Sequence, residues 1–293
     1  MRVFVTGATG FIGFPVCQEL IAAGHKVLGL ARSDDGARRL GSIGVDVHRG
    51  SLHDLESLKS GAAAADAVIH TAFVHDFSKF QENCEIDRRA IDAMGTVLAG
   101  SDRPFIVTSG AGGLAAPGTL ATEEDVPLPD PRTPRVSEQT AMALLGKGVS
   151  AAVVRLPQVH DPLMQGLVTY VISVAREKGI SAYIGDGRNR WPAAHVSDVA
   201  RLYRLALEQH EAGAKYHAVA EEGVNMRDIA ESLGRGLNLP VKSLSVEEAQ
   251  AHFGWLAMFA GLDLPTSSAL TRKKLGWNPT GPGMLADLAQ QKY

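Results

Sequence analysis

The run Thr6-Gly7-Ala8-Thr9-Gly10-Phe11-Ile12-Gly13 joins an apolar stretch, Val3-Phe4-Val5, to an amphipathic one that opens near Pro15. Glycine at 7, 10 and 13 allows a tight turn, close approach of a pyrophosphate, and close packing of a helix on its strand. The free amides and positive dipole end of that helix suit phosphate. The chemistry implied is dinucleotide binding, with Gly7, Thr9, Gly10, Phe11, Ile12 and Gly13 as contacts. The next apolar run, Lys26 to Ala31, ends in Arg32-Ser33-Asp34-Asp35. An acidic residue there holds the ribose 2′-OH of NAD, whereas a guanidinium takes a 2′-phosphate through paired, charge-assisted bonds. Arg32, helped by the Ser33 hydroxyl, favours NADP(H) over NAD(H). The opposing reading has Arg32 solvated and Asp34 on the ribose.

Such a site needs a sheet edge to stand on. Short apolar runs recur at Val3 to Val5, Lys26 to Ala31, Val45 to His48, Ala67 to His70, Phe105 to Val107 and Ala152 to Val154. Helix-like segments lie between them, the first from Pro15 to Ala23 with Gly24 as its C-cap. Apolar strands alternating with helices predict an α/β fold, a doubly wound parallel sheet covered on both faces. Residues 1–160 read as the dinucleotide-binding domain, with 191–222 returning to it. Residues 161–190 and 223–293 read as a smaller, mainly helical substrate lobe. Gly110 to Pro134, rich in proline, reads as a long loop at the carboxyl edge of the sheet, where ligands of such folds bind.

Composition narrows the class. The 293 residues are 45% apolar, enough for a sizeable core, and 29 basic against 32 acidic side chains leave no basic excess for nucleic acid. The apolar stretch Phe253 to Leu262 is too short to span a membrane, and the N-terminus lacks a signal-peptide pattern. Cys17 and Cys84 make no disulfide framework, and neither they nor the ten histidines show metal-ligand spacing, so no metal is expected. A cytoplasmic globular protein is the expectation.

Several segments together resemble the short-chain dehydrogenase/reductase superfamily, in its extended, epimerase/dehydratase-like branch. They are the glycine loop, Ala67-Val68-Ile69-His70-Thr71-Ala72, Arg155-Leu156-Pro157-Gln158-Val159-His160-Asp161-Pro162, Ala194-His195-Val196-Ser197-Asp198-Val199-Ala200 and Leu275-Gly276-Trp277-Asn278-Pro279. The resemblance implies further cofactor contacts from Ser51, Leu52, Thr71, Ala72, Phe73, Thr108, Pro157 and Val159, and makes a homodimer plausible. It also exposes a departure. The family sets a Ser/Thr after the fifth strand and a Tyr-x-x-x-Lys pair on the next helix, a phenol whose pKa a nearby ammonium lowers so that it can protonate a carbonyl oxygen. Here Gly110 takes the serine position, Pro134 the tyrosine and Glu138 the lysine. No tyrosine lies between residues 1 and 169.

Other groups must then carry the chemistry. Ser109 is the expected carbonyl contact, with His75, its ring oriented by Asp76, and Arg135 as proton-donor or anchoring residues. Ser137 on the altered helix, and Arg190 and Trp191 beside the Gly185-Asp186-Gly187 turn, are expected to bind substrate. Tyr170 and Tyr183 are alternatives for the missing phenol. The function expected is NADPH-dependent reduction of a small carbonyl compound through a non-standard site. A non-catalytic NADP(H)-sensing protein and a sugar-nucleotide epimerase or dehydratase are the other readings.

Overall fold

The computed structural model describes residues 1–127 and 134–293, so the segment 128–133 of the expected long loop lies outside the described residues. Six strands alternate with five helices at the start. They are β1 (Arg2–Thr6), α1 (Gly13–Ala22), β2 (Lys26–Ala31), α2 (Asp34–Gly41), β3 (Asp46–Arg49), α3 (Leu55–Ala63), β4 (Ala67–His70), α4 (Phe80–Leu98), β5 (Ser101–Gly110), α5 (Ser137–Leu145) and β6 (Val149–Leu156). There follow β7 (Gln158–His160), α6 (Val168–Lys178), β8 (Ser181–Ile184), β9 (Arg190–His195), α7 (Val196–Glu208) and β10 (Lys215–His217). The chain ends with β11 (Glu221–Asn225), α8 (Met226–Leu237), β12 (Val241–Leu244), α9 (Val246–Phe253), α10 (Ala257–Ala260), α11 (Ala269–Leu275) and α12 (Met284–Gln290).

Seven strands pair in parallel in the order β3-β2-β1-β4-β5-β6-β10. The order reverses between β1 and β4, and a ligand crevice of such sheets opens at the carboxyl ends of those two strands. Alternation along each strand feeds two cores. Val3, Val5, Ile69, Ile106 and Val154 pack under α1 and α7, while Phe4, Val68, Phe105, Val107 and Val153 pack under α3, α4 and α5. A third core, around Trp191, Met226, Ile229 and Phe253, belongs to the later segments. There β11, β9 and β7 form a separate sheet, and β12 pairs with β8. Pro15 sits in the first turn of α1, which starts two residues earlier than the sequence suggests because the glycine loop winds directly into it. Among the described residues no helix is long and apolar enough to cross a membrane.

The described part of the 110–127 segment is pinned to the C-terminal region. Ala121 bridges Thr266, and the Glu123 carboxylate accepts from the Thr271 amide and hydroxyl, each at 2.7 Å. Asp198 ties α7 to the chain's end, accepting from the amides of Thr280 (3.0 Å) and Gly281 (2.7 Å), while the Trp277 indole donates to its carbonyl.

Two buried histidines are expected to make the fold acid-sensitive. His160 Nδ1 lies 2.6 Å from the Asp287 carboxylate, and His217 lies between Arg155 Nη1 (2.9 Å) and the Ser267 carbonyl (2.7 Å). Burial outweighs their other contacts and lowers both pKa values. A histidine with a lowered native pKa stabilises the fold fully above its unfolded value, about 6.5, and that contribution is lost as pH falls through the native value. The thermal midpoint is therefore expected to fall as pH drops below about 6.5. A midpoint that stays level from neutrality to about pH 5 would contradict this.

Candidate active site

The glycine loop packs against the end of β4. Gly7 adopts φ +69°, and a Cβ there would come 2.7 Å from the Ala72 amide nitrogen. A Cβ at Gly13 would come 2.2 Å from the Gly7 carbonyl and 2.8 Å from Thr71 Oγ1. Both contacts are with backbone or a fixed side chain, so the loop closes only with glycine at 7 and 13. Gly10 is exposed beside them. The amides of Phe11, Ile12 and Gly13 bond to no other described residue, and α1 has neither a side-chain cap nor an acidic residue in its first turn. An open helix N-terminus beside a bare glycine fits a pyrophosphate. Thr71 anchors the cradle by donating to the Thr6 carbonyl at 2.7 Å.

On the adenosine side, Arg32 is exposed and makes no ion pair among the described residues. Ser33 caps α2 by accepting from the Gly36 amide at 3.1 Å. The two acids that could compete are engaged, Asp34 with Arg49 and Asp35 with Arg38. Arg39, which the sequence reading passed over, donates to the Thr9 carbonyl at 3.1 Å and lies 3.9 Å over the Phe14 ring. The mouth beside Thr9 is thus basic. Ser51 and Leu52 follow β3 at the same edge, Leu52 with its side chain in the core.

At the other end a buried polar chain crosses the domain. Thr6 Oγ1 lies 2.7 Å from His70 Nδ1, and His70 Nε2 lies 3.0 Å from Asp87 on α4. Ser137 Oγ donates to the second Asp87 oxygen at 2.5 Å, and Arg135 Nε donates to Ser137 Oγ at 2.9 Å. Arg135 Nη2 donates to the Thr108 carbonyl at 3.3 Å, and its guanidinium lies 4.5 Å over the Phe73 ring. With Asp87 ionised, Nε2 carries a proton, because a carboxylate only accepts. From the other face, Tyr203 donates to Thr108 Oγ1 and Thr108 donates to the His70 carbonyl, both at 2.6 Å. Tyr203 is fully buried, and burial raises its pKa, so it props the sheet rather than meeting a ligand.

Ser109 follows Thr108 on β5, and among the described residues its hydroxyl has no hydrogen-bond partner. At Gly110 the position of a Cβ is open, the nearest heavy atom lying 4.0 Å away. A serine side chain would therefore find room at this position.

Several expectations need correction. Ser137 is buried and engaged with Asp87 and Arg135, so it positions the guanidinium instead of touching substrate. Arg190 is forked to Asp263, with contacts of 2.9 and 2.8 Å, and its charge is cancelled. Trp191 is buried in the third core and offers no surface to a ligand. Asp76 caps the 3₁₀ turn Phe77–Lys79 through Ser78 and does not orient His75. The His75 ring stands at the surface, edge-on to Phe73 at 5.3 Å. Partial loss of solvation, then the Arg135 charge, lowers its pKa. The Val159 side chain is core, while Pro157 is half-buried where β6 passes into β7. Glu138, at the lysine position, is buried against Arg155.

Comparison with known proteins agrees with this architecture. The chain is 49% identical over 295 residues to an uncharacterized protein of Schizosaccharomyces pombe, covering 100% of both chains. It is 27% identical to a 4-hydroxy-2-methyl-3-oxo-4-farnesyl-3,4-dihydroquinoline-1-oxide ketoreductase of Stigmatella aurantiaca, over 88% of this chain and 82% of that one. In fold it is similar to the UDP-glucose 4-epimerase of Thermus thermophilus, solved with NAD, at a TM-score of 0.78 and 20% identity over 100% and 98% of the two chains. The family model for the NAD dependent epimerase/dehydratase family matches residues 3–220, and the chain belongs to that family.

Proposed function

We propose that the protein reduces a carbonyl compound with NADPH, and that Arg135 does the electrostatic work usually given to the tyrosine–lysine pair. The observation that carries this is the buried chain Thr6–His70–Asp87–Ser137, which delivers a guanidinium to the end of β5. When bound, the cofactor supplies a hydride to the carbonyl carbon, leaving a negative oxygen that must take a proton. Arg135 stabilises that charge from a fixed position, so little reorganisation is needed as the charge develops. Asp87 keeps the guanidinium oriented without touching it, through Ser137. Ser109, one residue beyond the carbonyl that Arg135 grips, contacts the substrate oxygen and passes it a proton drawn from water. His75 serves as part of the wall beside Phe73. The relative named a ketoreductase supports this reaction class.

Cofactor choice follows from Arg32, the cation at the end of β2 that no described acid engages. Arg32→Ala is expected to weaken NADPH binding by about 10- to 100-fold, the worth of a charge-assisted contact, and to leave NADH binding within about twofold. Calorimetric titration of wild type and variant with each cofactor tests it. Equal losses for both cofactors would remove Arg32 as the phosphate reader, and binding of neither by wild type would end the oxidoreductase reading.

A further inference from the structure

Beyond Arg135 a strip of aromatic rings runs out of the site. The guanidinium lies over Phe73, Phe73 meets His75 at 5.3 Å, and His75 meets Phe77 at 6.3 Å. Phe77 then stacks flat on Trp255, 4.5 Å between centroids and 12° between planes. Tyr170 closes on both edge-on, at 5.8 Å and 5.2 Å. These rings come from three distant stretches of chain, the turn after β4, helix α6 and the segment between α9 and α10. Trp255 remains 41% exposed, whereas Trp191 and Trp277 are each 1% exposed. Of the two arginines beside the Gly185–Gly187 turn, Arg190 is neutralised by Asp263 and Arg188 stands 3.6 Å from Asp186.

The geometry points to a planar aromatic ketone or aldehyde as the substrate, its ring held on the exposed side of Trp255, which Phe77 backs by stacking, and its carbonyl turned toward Arg135. This rests on the reductase reading for the reaction but not for the binding. Ring faces and edges of this kind favour a flat π-system over a saturated ring of equal size, by an amount beyond area burial.

The test is calorimetric binding to the 293-residue protein saturated with NADP+, an oxidised cofactor that cannot reduce the bound ketone. The probes are acetophenone, cyclohexyl methyl ketone and UDP-glucose. Acetophenone is expected to bind about fivefold more tightly than its saturated counterpart, with no binding of UDP-glucose. Phe77→Leu and Trp255→Leu should each weaken acetophenone by about tenfold while NADP+ affinity, the check on folding, is unchanged. The proposal is overturned if the saturated ketone binds as well as acetophenone, if UDP-glucose binds more tightly, or if both variants retain acetophenone. Ring-dependent binding without any NADPH consumption would leave this site standing and remove the reductase reading. NADPH consumption with alkyl ketones alone would do the reverse.

Discussion

Arg155→Met is expected to lower stability by about 3–5 kcal/mol, the loss that follows when one partner of a buried ion pair is removed. Arg155 is fully buried at the end of β6. Its Nε and Nη2 donate to both Glu138 oxygens, at 2.7 and 2.5 Å, and Nη2 also donates to the Asp125 carbonyl at 2.7 Å. Methionine fills similar volume but leaves the Glu138 carboxylate without a counter-ion in the core. The double change Arg155→Met with Glu138→Met removes both charges and should recover most of the loss, since an apolar pair often replaces a buried ion pair at little cost. Denaturant titration of the two proteins decides the matter. A double variant as unstable as the single one would show that the ion pair is not the source. The same geometry explains why Glu138→Lys cannot restore the family's catalytic lysine: it would set two cations together inside the core.

The second large effect falls on turnover. Arg135→Ala is expected to lower kcat by about 10²–10³-fold, the range for removing one preorganised donor from a developing oxyanion, with NADPH affinity unchanged. Arg135→Lys should keep part of the rate, because the charge remains while the fork to Ser137 and Thr108 is lost. Asp87→Asn should fall between wild type and Arg135→Ala in kcat, with KM for the ketone little altered, because it acts through Ser137. Burial raises the pKa of Asp87, but the hydrogen bond and charge of His70, with Arg135 and Ser137, outweigh it and hold the carboxyl below the usual range. A carboxyl lowered in this way supports the structure above its ordinary value, about 3.9, and loses that support only as pH falls through the native value. The kcat profile of wild type should therefore show no Asp87 titration between about pH 5 and 9. A step there that disappears in Asp87→Asn would contradict the assigned charge state.

Much of the scaffold was legible because apolar runs and glycine spacing are local signals. The six early strands fall where their runs stand, and Gly7 and Gly13 are glycine for reasons visible in the packing. The relay was not legible as a whole, since its members lie 17 to 64 residues apart in the chain and only the fold brings them together. One trace was available. On α4, Asp87 interrupts the stripe of Asn83, Cys84, Ile86, Ala90, Ile91 and Met94, and an acid on a buried helical face needs a partner. Arg155 at the end of Ala152-Val153-Val154 carried the same kind of signal. Arg190 and Trp191 misled because residue type shows what a side chain can grip, not what already grips it. The aromatic strip was invisible for the opposite reason: Phe77, Tyr170 and Trp255 are single rings in the sequence and become a surface only when three segments meet.

The most direct measurement follows the hydride itself. The protein is incubated with NADPH carrying deuterium at both nicotinamide C4 positions and with a panel of aryl and alkyl ketones, and the alcohols are examined by mass spectrometry. Deuterium on the carbinol carbon of an aryl alcohol, formed by wild type and nearly abolished in Arg135→Ala, is the predicted result. Tight NADPH binding with no labelled alcohol from any ketone, or equal labelling by wild type and Arg135→Ala, would contradict the account.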